Sequence, residues 1–439
     1  MSNPTHSPLE RFLYWERQTP DDVFLRQPLE RIWHSWTWQQ AGNECRRIAA
    51  GIRDLGLQHG DRVAILSKNC AHWILADIAI MMAGCISVPL YPTLTAPSIR
   101  NILEHSGARA IFLGKLDDYA HQQQGLPETI LRISVPTYGI STPVNWEGLL
   151  HDYSPTSSLH TWDPEEILTI VYTSGTTGAA KGVMHKACTF GIVLEKVMEY
   201  IELKMRPSMF SYLPLSHVAE RMAVEMNIIF NGGKASFAES LDTFAADLAS
   251  VQPDAFFAVP RIWAKFREGV LKKVPQQKLD RLLRIPLLNK VVKQKIRKGL
   301  GLSKAKVILS AAAPISLEML LWYERLGITI LQVYGMTEDS VYAHFNRRGL
   351  NRFGSVGKPL PGLQVKFSDE GEILVKSPGN FLGYYKEPAL TASAFDPEGY
   401  LKTGDKGEYD HDGYLYITGR IKDQFQTDKG KYISPAPIE

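Results

Sequence analysis

The sequence predicts an α/β fold, with doubly wound, mostly parallel sheets packed by helices in a large N-terminal domain and a β-rich subdomain after it. Strand-like apolar runs alternate with segments of helical periodicity through the first part of the chain, which is typical of parallel sheets. From about Gly354 the pattern changes to short strands separated by glycine, aspartate and proline. Because 439 residues are too many for one core, we expect segments 1–353, 354–419 and 420–439.

Composition indicates a globular protein of the cytoplasm and excludes several other classes. Apolar residues make up 44% of the chain and charged residues 22%, and the net charge of +3 gives no sign of nucleic-acid binding. The four cysteines lack metal-ligand spacing and are expected to be reduced, mostly buried thiols. No signal peptide is predicted, because residues 1–6 lack a basic region followed by an apolar one. No membrane span is predicted, because the longest apolar stretch, 73–90, contains Asp77 and is interrupted at Gly84.

The first part of the chain supplies the alternation in order. Residues 41–55 have helical spacing and end before Gly56, and residues 115–165 have weak periodicity and are interpreted as a connecting region. Between these two segments we predict a strand at 62–66, a helix at 73–83, a strand at 86–90, a helix from about Pro97 and a strand at 110–113.

Later strands each lead into a turn of polar or small residues. Because ligands bind at the carboxyl ends of parallel strands, these turns are expected to converge on one site. The predicted strands are 167–171, 209–213, 255–259, 307–309 and 328–332.

The segment 172–182 is interpreted as an anion-binding loop. It contains three glycines, the hydroxyls of four serine and threonine residues, and Lys181. Glycines let backbone N–H groups approach a phosphate, hydroxyls add donors or magnesium ligands, and lysine supplies a positive charge. The alternative is a flexible surface turn. A Walker A loop is excluded because no Gly-Lys-Ser/Thr sequence ends the segment.

Two further motifs suit a nucleotide. In the segment 334–338, Tyr334 offers a flat face for a purine, and Glu338 beside a hydroxyl offers oxygen ligands for Mg²⁺. The alternative is a polar helix N-terminus with a capping hydroxyl. Asp405, in a Thr-Gly-Asp sequence, can accept two hydrogen bonds from a ribose diol, although such an aspartate is commonly a plain turn residue.

These motifs, in this order, resemble the adenylate-forming superfamily over essentially the whole chain. Segments 213–221 and 259–263 are similar to its long-chain fatty acyl-CoA synthetase branch. The resemblance implies an AMP-forming acid–thiol ligase that uses ATP and Mg²⁺ to convert a medium- to long-chain fatty acid to acyl-AMP. Transfer to coenzyme A, the co-substrate, then gives acyl-CoA, AMP and pyrophosphate.

The resemblance also assigns residue roles. Lys181, Thr177, His217 and Glu338 are expected to be catalytic, with Thr173 and Glu338 holding the metal. Arg420 falls at the family's conformational junction and Lys422 at its hinge. The expected ATP-binding residues are Thr173, Ser174, Gly175, Thr176, Thr177, Gly178, Lys181, Ala311, Ala312, Ala313, Gln332, Val333, Tyr334, Gly335, Met336, Thr337, Asp405, Arg420 and Lys422.

Several alternatives stay open. The acceptor is coenzyme A or the phosphopantetheine of a carrier protein, and a non-catalytic nucleotide- or acyl-binding protein is the remaining reading. His217 is alternatively a helix cap, and Glu220 with Arg221 is better explained as structural. The family's C-terminal α+β domain of ~100 residues is missing, which predicts weak adenylation and impaired thioester formation. Gln426 replaces a lysine common in relatives, which weakens one expected triphosphate contact.

The segment 272–298 carries ten lysine and arginine residues against the single acid Asp280, interleaved with leucine, valine and isoleucine. One hypothesis is a basic amphipathic surface that docks on anionic lipid to collect fatty acid, giving a cytoplasmic protein associated with the membrane. The alternative is a solvated helical hairpin that packs on the body of the protein.

Overall fold

The computed structural model describes residues 7–174, 180–421, 425–426 and 432–433, with side chains described in 7–173 and 180–421. The chain divides into two compact units. The first comprises Met1–Glu195, Lys204–Asp247 and Phe381–Pro388. The second comprises Lys196–Leu203, Leu248–Asn380 and Ala389–Glu439. The boundaries predicted at 353 and 419 stay a proposal.

Helices occur throughout both units. In chain order they are α1 (Pro8–Gln18), α2 (Trp38–Asp54), α3 (Ala71–Ala83), α4 (Ala96–Ser106), α5 (Tyr119–Gln122), α6 (Trp146–Asp152), α7 (Thr189–Ile201), α8 (Val218–Glu220), α9 (Asn227–Asn231), α10 (Phe244–Val251), α11 (Pro260–Lys273), α12 (Gln276–Arg284), α13 (Pro286–Gly299), α14 (Leu317–Arg325) and α15 (Pro388–Ala394). Within the described residues, none of these helices combines the length and apolarity needed to cross a bilayer.

The strands of the described residues fall into five sheets. In chain order they are β1 (Val23–Leu29), β2 (Ile32–Thr37), β3 (Arg62–Leu66), β4 (Ile86–Leu90), β5 (Ala110–Leu113), β6 (Leu131–Ser134), β7 (Val144–Asn145), β8 (Ile167–Ser174), β9 (Ala180–Lys186), β10 (Ser208–Ser211), β11 (Lys234–Phe237), β12 (Ala255–Ala258), β13 (Val307–Ser310), β14 (Leu331–Tyr334), β15 (His344–Phe345), β16 (Lys358–Pro359), β17 (Gln364–Phe367), β18 (Glu372–Lys376), β19 (Gly383–Tyr384), β20 (Leu401–Tyr409), β21 (Leu415–Arg420), β22 (Phe425–Gln426) and β23 (Tyr432–Ile433).

The first unit contains two sheets. The larger has the order β19-β9-β8-β4-β3-β5-β6-β7, and its strands from β8 to β7 pair in parallel. The other has the order β10-β11-β1-β2. All thirteen residues of α3 are buried, which explains why this segment is apolar without an amphipathic face. Gly84 ends α3 in the left-handed conformation, at φ 78°, as the sequence predicts.

The second unit contains a mixed sheet, a four-stranded antiparallel sheet and the pair β22-β23. The mixed sheet has the order β12-β13-β14-β15-β16, with β12, β13 and β14 parallel. The antiparallel sheet has the order β17-β18-β20-β21. It lies in the segment after Gly354 whose glycine- and aspartate-rich composition predicts short strands. The predicted fold class, doubly wound and mostly parallel sheets packed by helices with a β-rich part after them, is confirmed.

The structure corrects three local predictions. The segment 172–182 is not loop throughout, because β8 continues to Ser174 and the chain returns as the antiparallel strand β9. The strand predicted at 328–332 is displaced to Leu331–Tyr334. The supposed connecting region 115–165 contains β6, β7 and α6, which extend the large sheet and cover it.

Candidate active site

The carboxyl ends of three parallel strands lie at one edge of the mixed sheet in the second unit. Ala258 pairs with Ser310, and Ser310 with Gln332, so β12, β13 and β14 end nearly level. After β12 the chain begins α11 at Pro260. After β13 it forms the turn 311–314, and after β14 it forms the turn 335–341. Most of the second unit's predicted nucleotide residues therefore lie at this edge, as expected for ligand sites of open α/β sheets.

The turn after β13 is built from small residues. Ala311 is buried, whereas Ala312 and Ala313 are exposed. Ala312 has φ 71°, a conformation that alanine adopts at a cost. The small side chains leave room for a flat ligand beside the sheet edge.

The turn after β14 is organised by Asp339, which sequence reasoning missed. Its Oδ1 accepts hydrogen bonds from the backbone N–H groups of Met336 (2.8 Å) and Tyr342 (3.2 Å). Asp339 is fully buried, and burial raises its pKa to about 7, with the charge of Glu338 adding to the shift. Two adjacent acids in a buried turn form an oxygen-rich environment for a cation.

Two predicted residues on β14 have structural partners. The backbone carbonyl of Gln332 accepts from the N–H of Asn346 (3.0 Å), and its side-chain Oε1 accepts from the N–H of Gly354 (3.3 Å). Val333 is buried and pairs with Phe345 of β15. Thr337 and Glu338 lie in the 3₁₀ turn Thr337–Asp339.

Tyr334, Asp405 and Arg420 form one cluster in the second unit. The hydroxyl of Tyr334 donates to Asp405 Oδ2 at 2.8 Å, and Arg420 Nε lies 3.1 Å from Asp405 Oδ1. Burial, followed by the charge of Asp405, holds the pKa of Tyr334 well above its usual value, so the phenol remains a donor. The structure therefore joins residues predicted from two separate motifs, 71 positions apart in the chain.

The Thr-Gly-Asp segment is held by hydrogen bonds of the Thr403 hydroxyl and of the Glu372 carboxylate. The hydroxyl of Thr403 accepts from the N–H of Asp405 (3.1 Å) and donates to the carbonyl of Ile373 (2.8 Å). The N–H of Gly404, at φ 75°, donates to Glu372 Oε1 at 2.8 Å. These contacts set the position of the Asp405 carboxylate, and Glu372 is a supporting residue without a sequence signal.

In the first unit, the described ends of the predicted phosphate loop are paired strands. Thr173 pairs with Lys181, and Ser174 with Ala180. Lys181 Nζ lies 5.3 Å from the ring centroid of Tyr384, on β19. The predicted residues outside the described ones are Gly175, Thr176, Thr177, Gly178 and Lys422; the side chains of Ser174 and Gln426 are likewise outside them.

His217 lies at the N-terminus of α8 and caps it. Its Nδ1 accepts a hydrogen bond from the N–H of Ala219 at 3.1 Å, so the neutral ring carries its proton on Nε2. Burial lowers the pKa of His217, which favours this neutral form. The ring is edge-on to Tyr91, at 6.3 Å between centroids. The capping alternative is therefore observed, and it leaves Nε2–H available as a donor to a ligand.

Glu220 and Arg221 make separate structural contacts. Glu220 Oε1 accepts from the hydroxyl of Ser211 (2.9 Å) and the N–H of Tyr212 (3.0 Å), and burial raises its pKa to about 8. Arg221 is buried and pairs with Asp77 (2.5 Å) and Glu225 (3.0 Å). These contacts support the structural interpretation of both residues.

A family model described as AMP-binding enzyme matches residues 12–385. The chain belongs to this family. The long-chain-fatty-acid–CoA ligase FadD15 of Mycobacterium bovis is 28% identical, over 97% of this chain and 76% of that protein. The long-chain-fatty-acid–CoA ligase ACSBG2 of Xenopus laevis is 30% identical, over 95% of this chain and 63% of that protein. These matches confirm the predicted superfamily and the predicted enzyme class, an AMP-forming acid–thiol ligase.

A solved structure supports the fold of this AMP-binding enzyme. The crystal structure of the anthranilate CoA ligase AuaEII in complex with anthranoyl-AMP has a TM-score of 0.82 at 21% identity. The match covers 99% of this chain and 80% of that chain. At this identity the likeness bears on the fold alone.

Sequence reasoning also missed Asn69, which fixes the turn before His217. Its Nδ2 donates to the hydroxyl of Ser211 (2.7 Å) and to the carbonyl of Leu213, and its Oδ1 accepts from the N–H of Leu215 (3.1 Å). The only local signal is a polar residue three positions after the buried strand β3. Its partners lie more than 140 residues away, so the sequence could not identify them.

Proposed function

We propose that this AMP-binding enzyme activates a medium- to long-chain fatty acid with ATP and transfers the acyl group to coenzyme A. The observation that carries the proposal is the Tyr334–Asp405–Arg420 cluster at the carboxyl edge of the mixed sheet. A carboxylate held at fixed position can accept both hydroxyls of a ribose, and an aromatic ring beside it can stack on adenine. The names of the relatives support the acyl substrate.

Two displacements make up the proposed reaction. In the first, a fatty-acid carboxylate oxygen attacks the α-phosphorus of ATP, and the bond to the pyrophosphate oxygen breaks. In the second, the sulfur of coenzyme A attacks the acyl carbon, its proton is lost, and AMP leaves with the electron pair. Catalysis of the first step rests on positioning and on neutralising phosphate charge.

The chain's own residues divide this work. Lys181 and Thr177 neutralise and orient the phosphates, while Tyr334 and Asp405 position the nucleoside. The Nε2–H of His217 donates to the fatty-acid carboxylate. Glu338 would hold Mg²⁺, which prefers such oxygen ligands and would supply further neutralisation of phosphate charge.

The test is fatty-acid-dependent exchange of labelled pyrophosphate into ATP, measured over medium to long acyl chains. Asp405→Asn is expected to raise the KM for ATP by roughly tenfold or more, since it removes a charged acceptor. Asp369→Asn is the matched control, because Asp369 is exposed in the β17–β18 turn of the same unit. Absence of exchange with every acid would refute the activation step.

The acceptor is tested separately, by mass spectrometry of the thioester formed. Reactions contain ATP, the best fatty acid, and either coenzyme A or a phosphopantetheinylated carrier protein. Acyl-CoA is the expected product. Acylation of the carrier protein alone would replace the coenzyme A assignment while leaving the activation step standing.

We further propose that α12 and α13 dock on an anionic lipid surface from which the fatty acid is collected in the cytoplasm. No residue of α13 is buried, and Leu279 is the buried residue of α12. At the junction of the two helices, Leu287 is 82% exposed and Val291 60%, with Ile285 and Leu288 also exposed. These four residues, Ile285, Leu287, Leu288 and Val291, form the tip of the two helices. Apolar side chains exposed to water at this tip indicate a binding surface.

The basic side chains around this tip favour an anionic partner. Arg281, Arg284 and Lys290 are exposed beside the apolar residues, and Asp280 is the single acid of the two helices. Asp280 is already paired with Arg325 on α14. Basic side chains attract anionic headgroups while the apolar tip enters the acyl boundary.

Flotation with vesicles tests this docking. Vesicles containing phosphatidylserine are expected to retain the protein and pure phosphatidylcholine vesicles to retain much less. Leu287→Ser together with Val291→Ser should abolish retention. The control Leu317→Ser removes another exposed leucine of the same unit and should have no effect. Equal retention of the double variant, or no dependence on anionic lipid, would refute docking through this tip.

A further inference from the structure

Three metal-ligand side chains meet in the first unit, away from the residues assigned to ATP. His59 Nε2 lies 3.1 Å from Glu166 Oε1, and His160 Nε2 lies 3.1 Å from Glu166 Oε2. Glu166 precedes β8, whereas Thr173 lies near its far end. Since a strand rises ~3.3 Å per residue, the cluster is roughly 20 Å from the end of β8 that carries the phosphate-loop residues.

His59 is oriented by the backbone carbonyl of Gly84. Its Nδ1 lies 3.0 Å from the carbonyl oxygen of Gly84, which can only accept, so Nδ1 carries a proton. In the neutral ring Nε2 then presents a lone pair, and this lone pair faces a carboxylate oxygen. In this tautomer Nε2 of His59 and Oε1 of Glu166, 3.1 Å apart, can both donate electron pairs to one cation. A backbone carbonyl on Nδ1 is the partner that commonly orients a metal-binding histidine.

His160 is held in place by close packing. Its ring stacks on that of His59 at 4.4 Å between centroids and is perpendicular to Trp162 at 4.8 Å. Its backbone N–H donates to the carbonyl of Met82 at 3.1 Å. Gly84 has φ 78°, and a Cβ there would lie 2.9 Å from His160 Cγ, so a larger residue would displace the ring. The ring of His160 is therefore held beside that of His59 before any ion binds.

Glu166 is also positioned by the backbone. Its Oε2 accepts from the N–H of Asp163 at 2.8 Å, which holds the carboxylate between the imidazoles. All three ligand atoms lie within 4.8 Å of one another. Ligands ~2.1 Å from one zinc ion in tetrahedral geometry are ~3.4 Å apart. Because the two imidazole planes are stacked with 27° between them, the exposed ring of His59 would tilt away from that of His160 to direct both Nε2 lone pairs at one ion.

We propose that His59, His160 and Glu166 bind a divalent transition-metal ion of the zinc class. Two imidazole nitrogens and one carboxylate oxygen suit zinc, cobalt and nickel rather than magnesium or calcium. His59 is more than half exposed, so water can fill the remaining coordination position. Binding releases any proton held on the two Nε2 atoms. The ion would fasten the segment before β8 to the chain around His59 and Gly84.

Cobalt and zinc titrations of chelator-treated protein test the site without an activity assay. Cobalt is expected to give the visible absorption of a four-coordinate ion, displaced by one equivalent of zinc. His59→Ala should weaken zinc binding by at least roughly tenfold in calorimetry. His151→Ala is the matched control, because His151 is exposed and paired with the neighbouring Asp152 in the same unit, and it should bind zinc as the wild type does.

Thermal unfolding supplies a second measurement. One equivalent of zinc should raise the midpoint of the wild type and of His151→Ala, and leave that of His59→Ala unchanged. His59 is largely exposed, so its removal is not expected to prevent folding. Absence of stoichiometric zinc binding, or equal binding by His59→Ala, would overturn the proposal.

Discussion

Glu220 illustrates how burial sets the properties of acids near the predicted acyl pocket. It follows His217 by three positions and is 1% exposed, and its Oε1 accepts two hydrogen bonds. Burial nevertheless raises its pKa to about 8, because these bonds do not compensate for the loss of water. The folded protein therefore binds a proton here that the unfolded chain, with a pKa of ~4.3, releases near neutral pH.

Glu220→Gln should change how stability depends on pH. A raised folded pKa gives a contribution that is complete below ~4.3 and is lost as pH rises toward about 8. Glutamine does not titrate, so the variant should gain stability relative to the wild type across this window, by at most ~1.4 kcal/mol per pH unit. Urea denaturation of both proteins between pH 5 and pH 8 measures the difference. A difference that is constant with pH would contradict the assignment.

At the scale of single residues, the sequence predicts which residues belong to the site better than it predicts their hydrogen-bond partners. Tyr334 and Asp405 were each selected from a motif, but nothing local indicates that they share a hydrogen bond. Asp339 and Asn69 were missed because their function is to satisfy backbone groups of folded turns. Such groups exist only once the turn has formed, so they leave no pattern in the sequence.

At the scale of elements, a buried ion cluster joins α3 to the π-helical segment Arg221–Met226. Arg221 contacts Asp77 on α3, Glu225 one turn later, and the hydroxyl of Thr169 on β8 at 2.7 Å. Burial first, and then the charge of Asp77, raise the pKa of Glu225 well above its usual value. A proton on Glu225 leaves one cation and one anion, which is the balance that a buried site requires.

Arg221→Met is expected to destabilise the first unit strongly. The substitution leaves Asp77 buried without its cation, a loss that typically costs about 3–5 kcal/mol. Arg100→Met is the matched control, because Arg100 makes an exposed pair with Glu104 on α4, and its removal should cost less than ~0.5 kcal/mol. Equilibrium urea unfolding compares the two variants. Equal stability of Arg221→Met and Arg100→Met would show that the cluster is not a structural tie.

Close approach of the backbone explains the glycine that follows β14. A Cβ at Gly335 would lie 2.6 Å from Cα of Val341, which is itself left-handed at φ 59°. The preceding residue, Ser340, is also left-handed, at φ 56°. Left-handed β-branched residues are rare, so the turn is held in a strained conformation by its contacts.

Gly335→Ala should therefore destabilise the second unit by about 1–3 kcal/mol, the usual cost of forcing extra volume into a packed site. Gly269→Ala gives the matched comparison. Gly269 lies within α11, and a Cβ added there would meet no atom within 4 Å. Alanine at this position should therefore stabilise by ~0.5–1 kcal/mol. The two variants are compared by urea unfolding followed through tryptophan fluorescence. Opposite signs are expected; equal effects would reject the steric explanation.

Periodicity explains which elements were predicted correctly. Helices α2 and α3 and strands β3, β4 and β5 agree with the predictions within a few residues, because each buries a long apolar face. Strands β6 and β7 and helix α6 were missed, since they are short and lie at the edge of the sheet where only part of their surface is buried. Strand β8 was predicted over 167–171, but its continuation to Ser174 and the first residues of β9 were interpreted as loop, because glycine and threonine dominate the segment.

At the scale of the whole molecule, the alternation of strands and helices was sufficient to predict the sheet architecture, because parallel sheets need covered faces. The division of the chain was not predictable. Both units are assembled from separated segments, such as Phe381–Pro388 in the first unit, which contributes β19 beside β9. Pairings of that kind follow from long-range contacts, whereas boundaries were predicted from local composition.

The thiols give a measurement of the first unit alone. Cys45, Cys70, Cys85 and Cys188 all belong to it and all are buried, as composition predicts. Burial raises the pKa of Cys85 to about 12 and that of Cys45 well above its usual value, so little thiolate is present at neutral pH. A thiol reagent should therefore modify essentially none of them in native buffer and all four in concentrated urea. Labelling that rises with urea should follow the loss of the large sheet, and Arg221→Met should shift its midpoint to lower urea. Rapid native labelling of Cys45 or Cys85 would contradict the packing of α2 on α3 and the burial of the segment that joins α3 to β4.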